Sequence, residues 1–307
     1  MENNLTHKKI KCLLLAMTIL LSLSSCIVLA SCKQNGSIKK LENAVAKNNI
    51  KKAEKEFQKL PNISEAEYSR LCQLSIENKN LALPLMLIEK GMSPNIYIGD
   101  SPLSFYFVDL ATDSEFSQLL KAMAKDSSEV SFINQAFRTL QYAIRTKKFS
   151  YAHAIIEDVD FAEKTRYDCL KYFGELLLKQ VPKDLTASFL KKNKDTLLKT
   201  EMFSYHLALH YSYLKDCGLE LSDAKLIIED ETVADILLDG EPEGIKFLLN
   251  KIDCKKSYPM NGELRKIKDI LHYRIRIKSG AIDGSYEEMQ EKNKSEIQLL
   301  KEIMMEI

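Results

Sequence analysis

The chain has 307 residues, with 44 Lys and Arg against 43 Asp and Glu and a formal net charge of +1. Apolar residues make up 45% and charged ones 28%, a balance that supports a packed core and excludes a disordered polymer. Without a basic excess there is no electrostatic reason to expect a nucleic-acid partner. Scarce breakers, 10 Gly and 7 Pro, favour helices over a turn-rich β architecture.

In chain order, the first feature is a basic start carrying Lys8, Lys9 and Lys11. An apolar stretch from Leu13 to Leu29 follows, relieved by Thr18 and small serines. Then come Leu29-Ala30-Ser31-Cys32 and the polar run Lys33-Gln34-Asn35-Gly36-Ser37. A basic region, an apolar region and small residues before a cut site form the pattern of a secretory signal. Leu-Ala-Ser-Cys resembles the lipobox of bacterial lipoproteins. The resemblance implies cleavage before Cys32, thioether lipidation of its sulfur and acylation of the new N-terminus with a palmitate-type chain. Residues 1–31 would then be the lipoprotein signal peptide and 32–37 a short polar tether. The protein would be a membrane-anchored lipoprotein of the bacterial cell envelope, with the covalent lipid on Cys32 and no other cofactor. Two or three acyl chains hold a bilayer far more firmly than one, since each buried CH₂ contributes only about 0.8 kcal/mol. A second box, Leu23-Ser24-Ser25-Cys26, makes Cys26 the second choice, and an uncleaved spanning helix is the third reading.

The body reads as helix after helix. Ile50 to Leu60 has apolar residues at helical spacing and ends at Pro61. Leu81 to Lys90 is an apolar-rich helix with Pro84 in its first turn and Gly91 as its C-terminal stop. Phe116 to Lys125, Tyr151 to Glu157, Ala224 to Glu229 and Gly244 to Lys251 predict further helices. Residues 286–307 predict a C-terminal capping helix with Ile297, Leu300, Ile303 and Met304 on one face.

Repeats are visible within this body. Leu87-Ile-Glu-Lys-Gly91-Met-Ser-Pro94-Asn95 leads to Gly99-Asp100-Ser101-Pro102-Leu103. This segment resembles an ankyrin junction, in which a helix ends at Gly, a Pro-Asn turn follows and Gly-x-Thr-Pro-Leu opens the next repeat. Ser101 stands for Thr and Ser104 for the usual His. The resemblance implies that the Ser101 hydroxyl caps the new helix, with Pro102 at its first position. Leu140 to Lys147 echoes Leu271 to Lys278, and both resemble a first ankyrin helix; residues 233–249 resemble a degenerate pair. Leu41, Leu71, Leu103, Leu140 and Leu170 align at steps near the ankyrin period; beyond them the register passes through Phe203 or Leu209, Val233 and Leu271. The resulting expectation is an all-α chain, a helix-pair solenoid of degenerate ankyrin-like repeats over 38–285. A tetratricopeptide-like array and an irregular helical domain are the alternatives.

Catalytic signals are sparse. No phosphate-cradling glycine loop or G-x-S-x-G occurs, and the expectation is a non-enzyme. His206 and His210 share a helix face at helical spacing. They are the metal candidates, with Asp216 or Cys217 as a distant third ligand, although Leu207 stands where a zinc protease needs Glu. Cys72, Cys169, Cys217 and Cys254 lie far apart, which speaks against zinc and leaves their disulfide state open. Glu229-Asp230-Glu231 is expected to cap a helix beginning near Thr232. Phe105, Tyr106, Phe107, Tyr205, Tyr211 and Tyr213 crowd the expected first helices. They are core packing or, where exposed, anchors for an unknown protein partner. The functional expectation is a protein-interaction module held at a membrane. An envelope enzyme or metal binder using His206 and His210, and a structural spacer or assembly factor, are the other readings.

Overall fold

Three turns of the chain solve the same problem in the same way. Two residues past the ends of three helices, Asn48, Lys79 and Lys147 take a left-handed conformation, at φ of 53°, 52° and 59°. The next N–H then reaches back five residues: Asn49 to the Ala44 carbonyl (2.9 Å), Asn80 to Ser75 (2.9 Å) and Lys148 to Ala143 (2.8 Å). Gly91, Gly218 and Gly280 close helices by the same two-bond motif. Each turn satisfies the last carbonyls of one helix. The first three lead into the next helix within three residues.

The computed structural model describes residues 36–60, 63–178, 181–200, 202–220, 226–281 and 286–307, and the chain divides after Asp126 into two compact units. The fold is mainly helical. The first unit holds α1 (36–46), α2 (Ile50–Phe57), α3 (Glu65–Glu77), α4 (Ala82–Glu89), the short strands β1 (Tyr97–Ile98) and β2 (Ser101–Pro102), α5 (Leu103–Leu110) and α6 (Asp113–Asp126). Here α4 packs on α2, α3 and α6, and α5 packs on α6. Reciprocal Ser64–Glu67 and Thr112–Glu115 capping boxes fix the starts of α3 and α6.

The second unit holds α7 (Glu129–Arg145), α8 (Phe149–Asp158), a 3₁₀ turn (Glu163–Thr165), α9 (Arg166–Leu178), α10 (Lys183–Leu198), α11 (Phe203–Leu209), α12 (Tyr211–Asp216), α13 (Asp230–Asp239) and α14 (Pro242–Leu249). Then come β3 (Ser257–Met260), β4 (Glu263–Lys266), α15 (Ile267–Lys278), α16 (Tyr286–Lys292) and α17 (Lys294–Glu306). The packing follows chain order. First helices touch first helices (α7 with α9, α11 with α13, α13 with α15), and second helices touch second helices (α8 with α10, α12 with α14, α14 with α17). The aligned residues Leu41, Leu71, Leu103, Leu140, Leu170, Phe203, Val233 and Leu271 are all buried, one in each of α1, α3, α5, α7, α9, α11, α13 and α15. Leu209 is only half-buried, so Phe203 carries the register.

Several expectations need correction. Ser101 lies in β2 and makes no cap; α5 starts at Leu103, and Pro102, with no side-chain donor or acceptor, is its N-cap. The expected helix from Ala224 to Glu229 begins outside the described residues, which omit 221–225; its described part, 226–229, is non-helical, and α13 starts at Asp230, two residues before Thr232. The C-terminal segment breaks at Asn293 into α16 and α17, because the Asn293 side chain turns back to the Lys278 carbonyl (2.8 Å). The helix α1 already runs at 36, inside the expected tether. The hairpin β3–β4 was not expected, although Asn261-Gly262 is a strong hairpin signal. Both residues take positive φ (52° and 79°), as a two-residue type I′ turn requires.

Candidate functional site

The junction at 87–103 is built from residues with separable duties. Gly91 adopts φ +105°, its N–H donates to the Ile88 carbonyl (3.0 Å), and Met92 donates to Leu87 (3.0 Å). Pro94 is buried. Ser93 Oγ (2.7 Å) and Asn95 Nδ2 (3.1 Å) both donate to the Asp126 carboxylate at the end of α6. Gly99, at φ +60°, turns the hairpin, with Ile98 opposite Ser101 and Tyr97 opposite Pro102. Leu103 is fully buried, and its N–H closes the junction on the Ile96 carbonyl (3.0 Å). In the second unit the same order recurs: helix α14, a turn, the β3–β4 hairpin, then α15 opening on buried Ile267. There Tyr258 replaces Ile98 as the buried strand residue, and its hydroxyl donates to the Asp253 carbonyl (2.9 Å).

The first helices of the second unit run parallel and level. Glu129 at the start of α7 pairs with Lys164 just before α9, Lys171 donates to Asn134 (3.5 Å), and Gln141 donates to Glu175 (3.0 Å). Thr200, before α11, donates to the Arg166 carbonyl (3.5 Å), and Arg274 of α15 donates to Leu237 of α13 (2.9 Å). Large apolar residues are exposed where these helices begin. They are Val130 on α7, Tyr167 (76% exposed) on α9, Met202 before α11, Ile227 before α13 and Leu264 (71% exposed) before α15. In the first unit Tyr97 is exposed in the hairpin before α5. Single exposed hydrophobics are ordinary; within the second unit one recurs near the start of each successive first helix.

The expected aromatic cluster divides. Phe107 is fully buried, while Phe105, Tyr106, Tyr205, Tyr211 and Tyr213 are half-buried. Tyr106 donates to the Ile98 carbonyl (3.1 Å), and Tyr211 stacks tilted on Phe247 (5.5 Å between centroids). Tyr211, Phe247, Leu207 and Leu219 line an open groove beside α12.

His206 and His210 do not share one helix. α11 ends at Leu209, and His210 (φ −131°) is the break between α11 and α12. Burial pushes both imidazoles below the ordinary histidine range; His210 lowers His206 further, while Glu241 opposes the shift at His210. His206 packs edge-on against Phe173. The distant ligand candidates are engaged elsewhere: Asp216 with Lys183 (2.8 Å), and Cys217 near Tyr213. Among the described residues no group of three His, Cys, Asp or Glu is gathered to hold a metal. Cys72, Cys169, Cys217 and Cys254 are free thiols; burial pushes Cys72 and Cys169 up to about 12, so they remain protonated. Cys32 and Cys26 lie outside the described residues, among which no helix is long and apolar enough to cross a membrane.

No protein-family model, curated protein or solved structure matches the chain.

Proposed function

We propose that this chain is a lipid-anchored protein of a bacterial envelope whose helix pairs form a degenerate ankyrin-like solenoid and recognise a protein partner. The observation that carries the reading is the exposed apolar residue near the start of each first helix of the second unit, Val130, Tyr167, Met202, Ile227 and Leu264. The helix–turn–hairpin–helix order, found around both 97–102 and 257–266, supports the ankyrin-like part. In such arrays hairpins and first helices form the recognition surface, where large apolar side chains anchor a partner at low entropic cost. The Leu-Ala-Ser-Cys box ending at Cys32 supports the anchor.

Crosslinking in the native cell tests the surface. Tyr167→Ala with Leu264→Ala should reduce capture of the specific crosslinked partner at least tenfold while leaving the helical spectrum unchanged; undiminished capture rejects this surface. The anchor is tested separately. Cys32→Ala should leave an unprocessed, unlipidated precursor, and lipid retained on that variant moves the assignment to Cys26.

A further inference from the structure

The net charge of the chain hides a segregation within its second unit. Residues 229–243 hold seven carboxylates and no Lys or Arg, while residues 246–278 hold ten Lys and Arg against three carboxylates. The acidic segment builds α13 and the start of α14; the basic one builds the end of α14, the β3–β4 hairpin and α15.

These two segments put their charge on neighbouring helices. α13 and α15 turn Val233, Ala234, Leu237, Ile270 and Leu271 into a common core with α14 and α17. Their other sides face solvent. There Glu231, Asp235 and Asp239 line α13, and Lys268, His272 and Arg276 line α15 at the same four-residue spacing. Each basic position follows its acidic counterpart by 37 residues, the separation of the Arg274–Leu237 hydrogen bond that sets the register. The two rows are therefore level, each about 12 Å long, on helices about 8–10 Å apart. Among the described residues no ion pair engages Glu231, Asp235, Lys268 or Arg276, although nearby Lys256–Asp230 and Arg265–Glu263 are paired. Asp239 is hydrogen-bonded to Tyr205.

We propose that this face docks on the same face of a second copy of the chain, about a two-fold axis parallel to α13 and α15. Such a rotation lays α13 of one copy over α15 of the other, running in the same direction. Glu231 then meets Lys268, Asp235 meets His272 and Asp239 meets Arg276, and symmetry makes each contact twice. An axis across the helices would place acid over acid, a like-charge juxtaposition that costs several kcal/mol. A partner of one sign, whether a polyanion or an anionic bilayer, would be repelled by half of the surface. Tyr273 and Ile277, both exposed on α15, supply apolar area beside the basic row. Two short helices offer less than the roughly 800 Å² per partner of a standard interface, so the dimer is weak and salt-sensitive. The inference rests on the packing of α13 and α15, and neither the lipid nor the repeat reading enters it.

Light scattering by the full chain in detergent, at roughly 100 µM protein and low salt, tests it. The wild-type chain should show a two-copy mass that falls to one copy at high salt. Glu231→Lys with Asp235→Lys should raise the dissociation constant at least tenfold, and so should Lys268→Glu with His272→Glu. Combining all four substitutions in one chain should restore the dimer, because both altered pairs have exchanged signs and Asp239 still meets Arg276. Mixing the two double variants should also give a two-copy species, which shows that each still folds. A wild-type mass of one copy, a dimer indifferent to either reversal, or no recovery in the fourfold variant despite a wild-type helical spectrum would overturn the proposal.

Discussion

At Gly244 the backbone of α14 approaches α11 so closely that a β carbon there would lie 2.7 Å from the Ala208 carbonyl oxygen and 3.0 Å from Tyr211 Cβ. Gly240 meets the Ala208 side chain at 3.0 Å in the same way, and Glu241 N–H donates to the Ala208 carbonyl (2.7 Å). Gly244→Ala should therefore destabilise the protein by about 1–3 kcal/mol, read as a lowered urea midpoint. His206 gives a second residue-scale prediction. Its folded pKa lies below the ordinary value because burial disfavours the imidazolium and His210 adds repulsion. The unfolded chain therefore binds the proton first. Stability is fully present above about pH 6.5 and declines as pH falls below it, until the folded imidazole also protonates. In His206→Phe the melting temperature should fall less between pH 7 and pH 5 than in wild type; an unchanged slope would discount the buried imidazole.

The turns set the element scale. Lys147 holds a left-handed conformation that costs a side-chain-bearing residue about 1–2 kcal/mol, whereas Gly91 holds a similar one freely. Lys147→Gly should stabilise the α7–α8 pair by roughly 0.5–1 kcal/mol after its greater unfolded entropy is counted, a rise in melting temperature of a few degrees or less. The C-terminal elements are joined differently. Arg274, almost fully buried, donates to the Leu237 carbonyl and to Glu296, which also pairs with Lys278 (3.1 Å). Burial alone would raise the Glu296 pKa, yet the hydrogen bonds from Arg274 and Lys278 hold it below the ordinary carboxylate range. Arg274→Ala leaves the Leu237 carbonyl without this donor and Glu296 with Lys278 alone, and should cost about 1–3 kcal/mol in chemical unfolding. Arg274→Met with Glu296→Met should cost much less, because it removes both charges.

At the scale of the whole molecule, few breakers and apolar residues at helical spacing were enough to indicate a helical chain. The buried residues Leu41, Leu71, Leu103, Leu140, Leu170, Phe203, Val233 and Leu271 show why: each helix buries an apolar face against its neighbours. Gly91 was legible because its left-handed conformation favours glycine. The β3–β4 hairpin was legible in Asn261-Gly262 but was masked by its exposed, charged second strand. The break at His210 was not legible, since nothing in Leu207-Ala-Leu-His-Tyr211 prevents a continuous helix; packing interrupts it, where the Glu241 carboxylate accepts from Ser212 N–H (2.7 Å). By itself, then, the sequence determined the mainly helical class, the first-helix positions and the closure at Gly91, because these depend on local conformational cost and on which face is apolar. The tertiary structure alone decided that acidic α13 lies level beside basic α15, that an apolar residue is left exposed near the start of each first helix of the second unit, and that Asp216 and Cys217 stay apart from the histidine pair. Those relations join residues about 25–37 positions apart, and register between packed helices fixes them where no local preference acts.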